Sequence, residues 1–224
     1  MTHQTVRLTA ALIIAAGTMG AASATAVTPS FDCKRAGTAS ERAICRIERL
    51  GFRDRALGQL YRRLMARLPA GQRAGLRKEQ ARWLAGRERA CGAERVCLER
   101  RYEARIDALS RRAARTAGRS AFTGRYRATK GLGGYIYLID MAGPRVMAEL
   151  ETVNPSTSHQ CTMHMLTARL TGAVIRWSSP EARACVVTIV NKSGGVDVSG
   201  PPACQHHCGL SGFFSGFYRK GAAR

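Results

Sequence analysis

The sequence predicts an α+β fold: a disulfide-linked antiparallel helical domain followed by a small antiparallel β barrel or sandwich. Three observations predict it. Eight cysteines divide into two sets of four, Cys33, Cys45, Cys91 and Cys97 in an Arg-rich stretch and Cys161, Cys185, Cys204 and Cys208 in a Gly-rich one. Apolar residues recur at helical spacing through the first stretch and at strand spacing through the second. Phe122-Thr123-Gly124-Arg125-Tyr126-Arg127 opens the second half, and Phe214-Ser215-Gly216-Phe217-Tyr218-Arg219 closes it. Matching first and last strands can pair, closing a sheet and removing its exposed edges.

Residues 1–26 read as a signal peptide. Arg7 supplies the basic start, Leu8 to Ala24 an apolar run, and Ala22-Ser23-Ala24 or Ala24-Thr25-Ala26 the small-x-small cleavage pattern. A retained anchor is the alternative, but Gly17, Gly20, Ser23 and Thr25 weaken the run as a membrane span. No later segment has the ~20 continuous apolar residues of a membrane helix. The expected product is soluble and periplasmic or secreted, with a helical domain over 27–118 and a β domain over 119–224. In an exported chain an even cysteine count reads as disulfides rather than metal ligands or catalytic thiols.

The formal net charge is +21. Residues 32–119 hold 24 Lys and Arg against 10 Asp and Glu, and residues 120–224 hold 11 against 5. A field of this size attracts polyanions. Export excludes cytosolic nucleic acid and leaves anionic envelope polymers or lipid headgroups. The competing reading is that dispersed Arg residues only solvate helix faces.

Thr38-Ala39-Ser40-Glu41 has the spacing of a capping box and opens a short helix through about Arg49. A second helix, about Gly51 to Leu68, carries Leu50, Leu57, Leu60, Tyr61, Leu64 and Leu68 at helical spacing, and Pro69-Ala70-Gly71 stops it. A third, about Gln72 to Arg89, sets Leu76, Trp83 and Leu84 on one face. A fourth carries Leu98, Tyr102, Ile106 and Leu109. Short connections favour antiparallel packing. Arg111 to Ser120 lacks large apolar residues and reads as the linker.

The helical series is recognisable: Phe31-Asp32-Cys33, Thr38, Glu41, Ile44-Cys45, Leu50, Asp54, Leu57, Tyr61, Gln80, Trp83-Leu84, Arg87, Cys91, Cys97, Tyr102, Arg105-Ile106 and Leu109. It resembles the LprI-type lysozyme inhibitor family over about residues 30–112. The resemblance implies an exported, disulfide-linked helical domain without enzymatic activity, needing no cofactor and with a lysozyme or other glycosidase as partner. Asp54, Gln80, Trp83 and Arg87 fall on inward faces. An unpaired charge there costs several kcal/mol, so an Asp54–Arg87 ion pair is expected, with Gln80 bonding nearby backbone. A recognition site is the other reading. The four helical cysteines permit three connectivities, all open; links between the first pair and the second would tie the N-terminal segment onto the third and fourth helices.

Beyond residue 120, strands are expected at Tyr135 to Met141, Arg145 to Val153, Thr162 to Leu170, Ala173 to Trp177, Cys185 to Val190 and Gly195 to Val198. Gly133-Gly134, Gly143-Pro144, Asn154-Pro155, Gly194-Gly195 and Pro201-Pro202 punctuate them. His159-x-Cys161-x-x-His164 and Cys204-Gln205-His206-His207-Cys208 mix thiol and imidazole as zinc would like. Oxidising export and unfamiliar spacing argue instead for disulfides, with Cys161–Cys185 joining neighbouring strands and Cys204–Cys208 closing a tight loop.

Ser215-Gly216-Phe217-Tyr218 and Thr129-Lys130-Gly131 are partly similar to loops of the barrel-type inhibitors of c-type lysozyme, which implies Ser215, Tyr218 and Lys130 as binding candidates. The order is reversed, the spacing is one residue short, and no acid follows Lys130-Gly131. Strand residues with glycine at close-packed positions explain the pattern equally. No nucleophile motif or paired-carboxylate spacing points to catalysis. Two partners remain in view, a lysozyme and an anionic envelope polymer such as peptidoglycan or lipopolysaccharide; a purely structural envelope role is the third reading.

Overall fold

A computed structural model describes residues 27–117 and 122–221; the signal-peptide reading of 1–26 lies outside them. The helices are α1 (Ala39–Arg46), α2 (Glu48–Arg67), α3 (Ala70–Cys91) and α4 (Arg95–Thr116). The strands are β1 (Gly124–Ala128), β2 (Gly133–Asp140), β3 (Arg145–Val153), β4 (Gln160–Thr171), β5 (Val174–Ser178), β6 (Val186–Lys192), β7 (Gly195–Ser199) and β8 (Gly216–Lys220). Two 3-10 segments, Cys33–Arg35 and Pro202–His207, complete the path. No described helix is long and apolar enough to cross a membrane.

Local chemistry sets the helix ends. Thr38 accepts from the Glu41 amide while the Glu41 carboxylate accepts from the Thr38 amide, forming the capping box that opens α1. Glu94 caps α4 by accepting from Val96 N and Cys97 N at 2.9 and 2.5 Å, and these bonds hold its carboxyl below its usual pKa. The region expected to be a linker is helical through Thr116, because Ala113 and Ala114 are buried and prolong the inward stripe of α4. Leu84, expected inward, is 42% exposed.

The sheet is a closed antiparallel barrel in chain order, with every strand paired to its sequence neighbours. The echoed segments close it: Tyr126, Arg127 and Ala128 lie opposite Lys220, Arg219 and Tyr218. Each copy folds the same way. Gly124 and Gly216 adopt φ of 152° and 146°, and Tyr126 and Tyr218 each donate from the phenol to the carbonyl four residues back, of Phe122 at 2.7 Å and Phe214 at 2.5 Å. Glycine supplies the backbone, and tyrosine ties the entering chain to the strand.

The disulfides settle the open helical connectivity and correct the expected barrel pairing. Cys33 pairs with Cys45 and Cys91 with Cys97, so both helical bridges are local and none ties the N-terminal segment to the α3/α4 hairpin. The 3-10 turn sets Cys33 beside the end of α1, and the short α3–α4 connection sets Cys91 beside Cys97. In the barrel, Cys161 pairs with Cys208 and Cys185 with Cys204. The expected Cys161–Cys185 bridge fails because β5 pairs only with the far end of β4, at Arg169–Thr171, and the 200–215 connection lies beside Cys161 instead, with Cys208 bridged to it. Cys204–Cys208 fails because the 3-10 helix turns these residues toward different walls. That helix is therefore stapled twice across one mouth of the barrel.

Helices and barrel share a core. In β2 and β3 alternate residues point inward and outward, yet both faces are buried. Ile136, Leu138, Val146, Ala148 and Leu150 fill the barrel, while Tyr135, Tyr137, Ile139, Met141 and Met147 join the helical core. At this junction Arg53 of α2 is fully buried and holds Glu149 of β3 at 2.8 Å and Glu103 of α4 at 2.9 Å. Burial lowers the Arg53 pKa, but the two carboxylates more than offset it and the net shift is upward. Arg49 reaches Glu149 at 3.2 Å, Glu99 at 3.6 Å and also Glu151, and the Tyr135 hydroxyl lies 2.6 Å from Glu149 and 2.9 Å from Glu151, with its one hydrogen shared between them.

Glu149→Ala leaves the Arg53 charge buried with half its partners, and we expect a loss of about 3–5 kcal/mol in folding stability. Chemical denaturation checks this; a loss under about 1 kcal/mol, the range of an exposed ion pair, contradicts it.

Candidate functional site

The residues singled out on helical inward faces assemble around one that was not. Tyr102 donates to Asp54 Oδ1 at 2.8 Å and accepts from Arg87 at 2.6 Å, so the phenol bridges the two charges in place of the expected direct ion pair. The other Asp54 oxygen accepts from the amide and hydroxyl of Ser30, both at 2.6 Å. Trp83 meets the Tyr102 ring edge-on at 5.2 Å, and the Arg87 guanidinium lies 5.6 and 5.7 Å from the Trp83 and Tyr102 ring centres. Burial first, then the Asp54 charge, raises the Tyr102 pKa far above the ordinary phenol value. Gln80 stands apart: it accepts from the Arg105 side chain at 3.0 Å rather than bonding backbone. Asp54 and Arg87 are 6% and 4% exposed, so this cluster locks α2, α3 and α4 together and offers little surface to a partner.

Antiparallel closure places four connections at one end of the barrel: 129–132, 154–159, 179–185 and 200–215. The candidates Lys130 and Ser215 are exposed there. Lys130 and Gly131 have consecutive positive φ of 53° and 77°, and Leu132 N donates to Thr129 O at 3.4 Å; Lys-Gly here serves as a hairpin turn of the type I′ pattern. Tyr218 is fully buried with its hydroxyl on the Phe214 carbonyl, which leaves no surface for contact.

The thiol–imidazole motifs come apart. All eight cysteines are in disulfides. His159 accepts from Ser211 N at 3.1 Å, whereas His164 faces α2, 3.3 Å from Glu48 and 5.2 Å from the Phe52 ring. Among the described residues no group of three or more His, Cys, Asp or Glu could hold a metal ion.

One pairing escaped the sequence. Ser179 Oγ lies 2.9 Å from His207 Nε2. The same oxygen accepts from the amides of Glu181 and Ala182, each at 3.2 Å. With both lone pairs engaged, its hydrogen points to a neutral His207. Ser179 is 3% exposed. It is a loop cap that latches 179–185 to the stapled 3-10 helix, placed poorly for attack on a substrate.

The outer surface carries a second feature. Arg127 and Arg219 stand opposite one another across β1 and β8 and, with Lys220, line an open cleft of about 370 Å³. Like charges directly opposite are unfavourable, and an anion lying between them would relieve this.

The class of protein is thus defined: a disulfide-stapled helical domain docked on the wall of a closed antiparallel barrel. Residues 33–123 match the family model described as lysozyme inhibitor LprI, so the resemblance carried by Phe31 to Leu109 extends over α1 to α4 and ends at the first barrel strand. No curated protein and no solved structure matches the chain.

Two measurements probe these clusters. Tyr102→Phe removes the hydroxyl that satisfies Asp54 and Arg87 at once, and should cost about 1–3 kcal/mol in denaturation; a neutral result refutes the bridge. Burial lowers the His207 pKa from its usual value of 6.5. A folded pKa below the unfolded one makes this contribution to stability complete above about pH 6.5, and the contribution declines as pH falls from there toward the folded value. Melting temperatures from pH 8 to 5 should show this decline, reduced in His207→Gln; identical slopes in both proteins refute the assignment.

Proposed function

We propose that this protein is an exported, non-enzymatic lysozyme-binding inhibitor. The match of residues 33–123 to the LprI family is the observation that carries the reading. Four disulfides suit an oxidising compartment, and the leader pattern of residues 1–26 supports export. In this reading a helical domain over 27–118 and a β domain over 119–224 act as one body, because Arg53, Glu103 and Glu149 join them.

Charge shapes the encounter. C-type lysozymes are basic, and a chain at +21 repels them at long range. Contact then depends on a weakly charged surface and on short-range packing. A second reading, binding of an anionic envelope polymer, is favoured by the Arg127–Arg219 cleft.

Lysozyme activity measured with and without the mature protein over a salt series separates the two. We expect inhibition that persists or strengthens between about 0.01 and 0.15 M salt, as the Debye length contracts from ~30 to ~8 Å. Absence of inhibition at every salt concentration overturns the proposal. Protection that disappears with salt, together with sedimentation of the protein on cell-wall polymer, transfers the function to the second reading.

A further inference from the structure

The connection between the stapled 3-10 helix and β8 has an unusual combination of rigidity and exposure. Leu210, at the tip of the Gly209–Phe213 loop, is 93% exposed, and Phe213 is 42% exposed. An exposed leucine on a floppy loop would call for no explanation. This loop is held at nearly every atom that can be held.

Cys208 anchors its start to Cys161 of β4. Gly209 N donates to Gln160 O at 2.8 Å, and Gly212 N closes a turn onto Gly209 O at 2.8 Å. Ser211 N donates to His159 at 3.1 Å. The carbonyls are engaged as well. The Gln205 amide reaches Gly209 O, Gly212 O and Leu210 O at 2.7, 3.2 and 3.4 Å. Asn154 donates to Ser211 O at 2.9 Å, and Thr152 to Phe213 O at 2.8 Å. Neighbouring elements thus hold the carbonyls of Gly209, Ser211, Gly212 and Phe213 while the apical side chain stands in water. Folding gains nothing from that leucine. A partner that buried it would gain apolar contact without the entropy cost of ordering the loop.

Charge at this end indicates the partner. Its four connections carry Lys130, Glu181 and Arg183 as their charged residues apart from histidines, in a chain of net charge +21. A cationic protein meets least repulsion here, and the 154–159 connection, tied to the loop through Asn154 and His159, brings the neutral polar Ser156, Thr157 and Ser158 to the same end. That is the general plan of a recognition surface, a central apolar anchor inside a polar border.

We infer that the Gly209–Phe213 loop is a preorganised docking element that inserts Leu210 into an apolar depression on a cationic glycosidase, the lysozyme of the reading above, on which this inference rests. Phe213 extends the contact beside it, and Gln205 acts as a positioning residue through its bonds to the loop carbonyls.

The test is the affinity of the mature, fully oxidised protein for hen-type lysozyme, measured by calorimetry for wild type, Leu210→Ser, Leu210→Ala and Gln205→Ala. The Leu210 variants should retain the wild-type melting temperature, since the side chain is in solvent, and bind at least tenfold more weakly, equivalent to about 1.4 kcal/mol. Gln205→Ala should weaken binding mainly through a less favourable binding entropy. Wild-type binding that survives unchanged in both Leu210 variants overturns the docking element and leaves the inhibitor reading intact. Failure of the wild type to bind overturns both.

Discussion

The buried guanidinium of Arg53 is the constraint on which the arrangement depends. It lies between Glu103 of the helical domain and Glu149 of the barrel wall, so its charge is satisfied only while the two halves stay docked. A buried ion pair adds little net stability compared with apolar packing, because desolvation offsets most of the attraction. Its effect is on specificity. In this arrangement Arg49 and Arg53 of α2 both meet carboxylates, so that rotating or sliding α2 on β2 and β3 would part them, and Tyr137 and Ile139 join the apolar core shared with the helices. The halves, each with its own disulfides, consequently form one body with a shared core.

Covalent links do different work in the two halves. The helical bridges are short and local, fixing the 3-10 turn onto α1 and the α3–α4 corner. The barrel bridges span further and pin a single 3-10 helix to two walls. Because that helix sits across one mouth of the barrel, the loops around it inherit its rigidity. The Ser179–His207 latch, the Gln205 bonds to the next loop and the exposed position of Leu210 all follow from that double staple.

The large positive charge is unevenly used. Two arginines of α2, Arg49 and Arg53, are consumed internally, in pairs with Glu99, Glu103, Glu149 and Glu151. On the barrel's flank Arg127 and Arg219 face each other in the sheet register instead. The loop-bearing end is nearly neutral. The protein therefore carries surfaces of different charge, a basic flank and a nearly neutral end, which total charge alone does not distinguish.

Much was legible in the order of residues. Helix and strand periods placed six of eight strands and the first three helices near their observed bounds and located the fourth helix without its end, Thr38 and Glu41 specified a cap, and the Phe-x-Gly-x-Tyr echo specified closure. These features depend on the chain within a few residues of each position, where sterics and periodicity decide. The Arg49/Arg53 and Glu99/Glu103 pairs at helical spacing, set against Glu149/Glu151 at strand spacing, held a legible hint of docking that the reading of an Arg-rich solvated face obscured. Tertiary structure alone decided which sulfurs pair, that Tyr102 stands between Asp54 and Arg87, that α4 runs through the expected linker, and that Leu210 is held in water by a rigid loop. Each of these depends on distances between elements far apart in the chain, and a one-dimensional pattern carries no measure of such distances until packing fixes them.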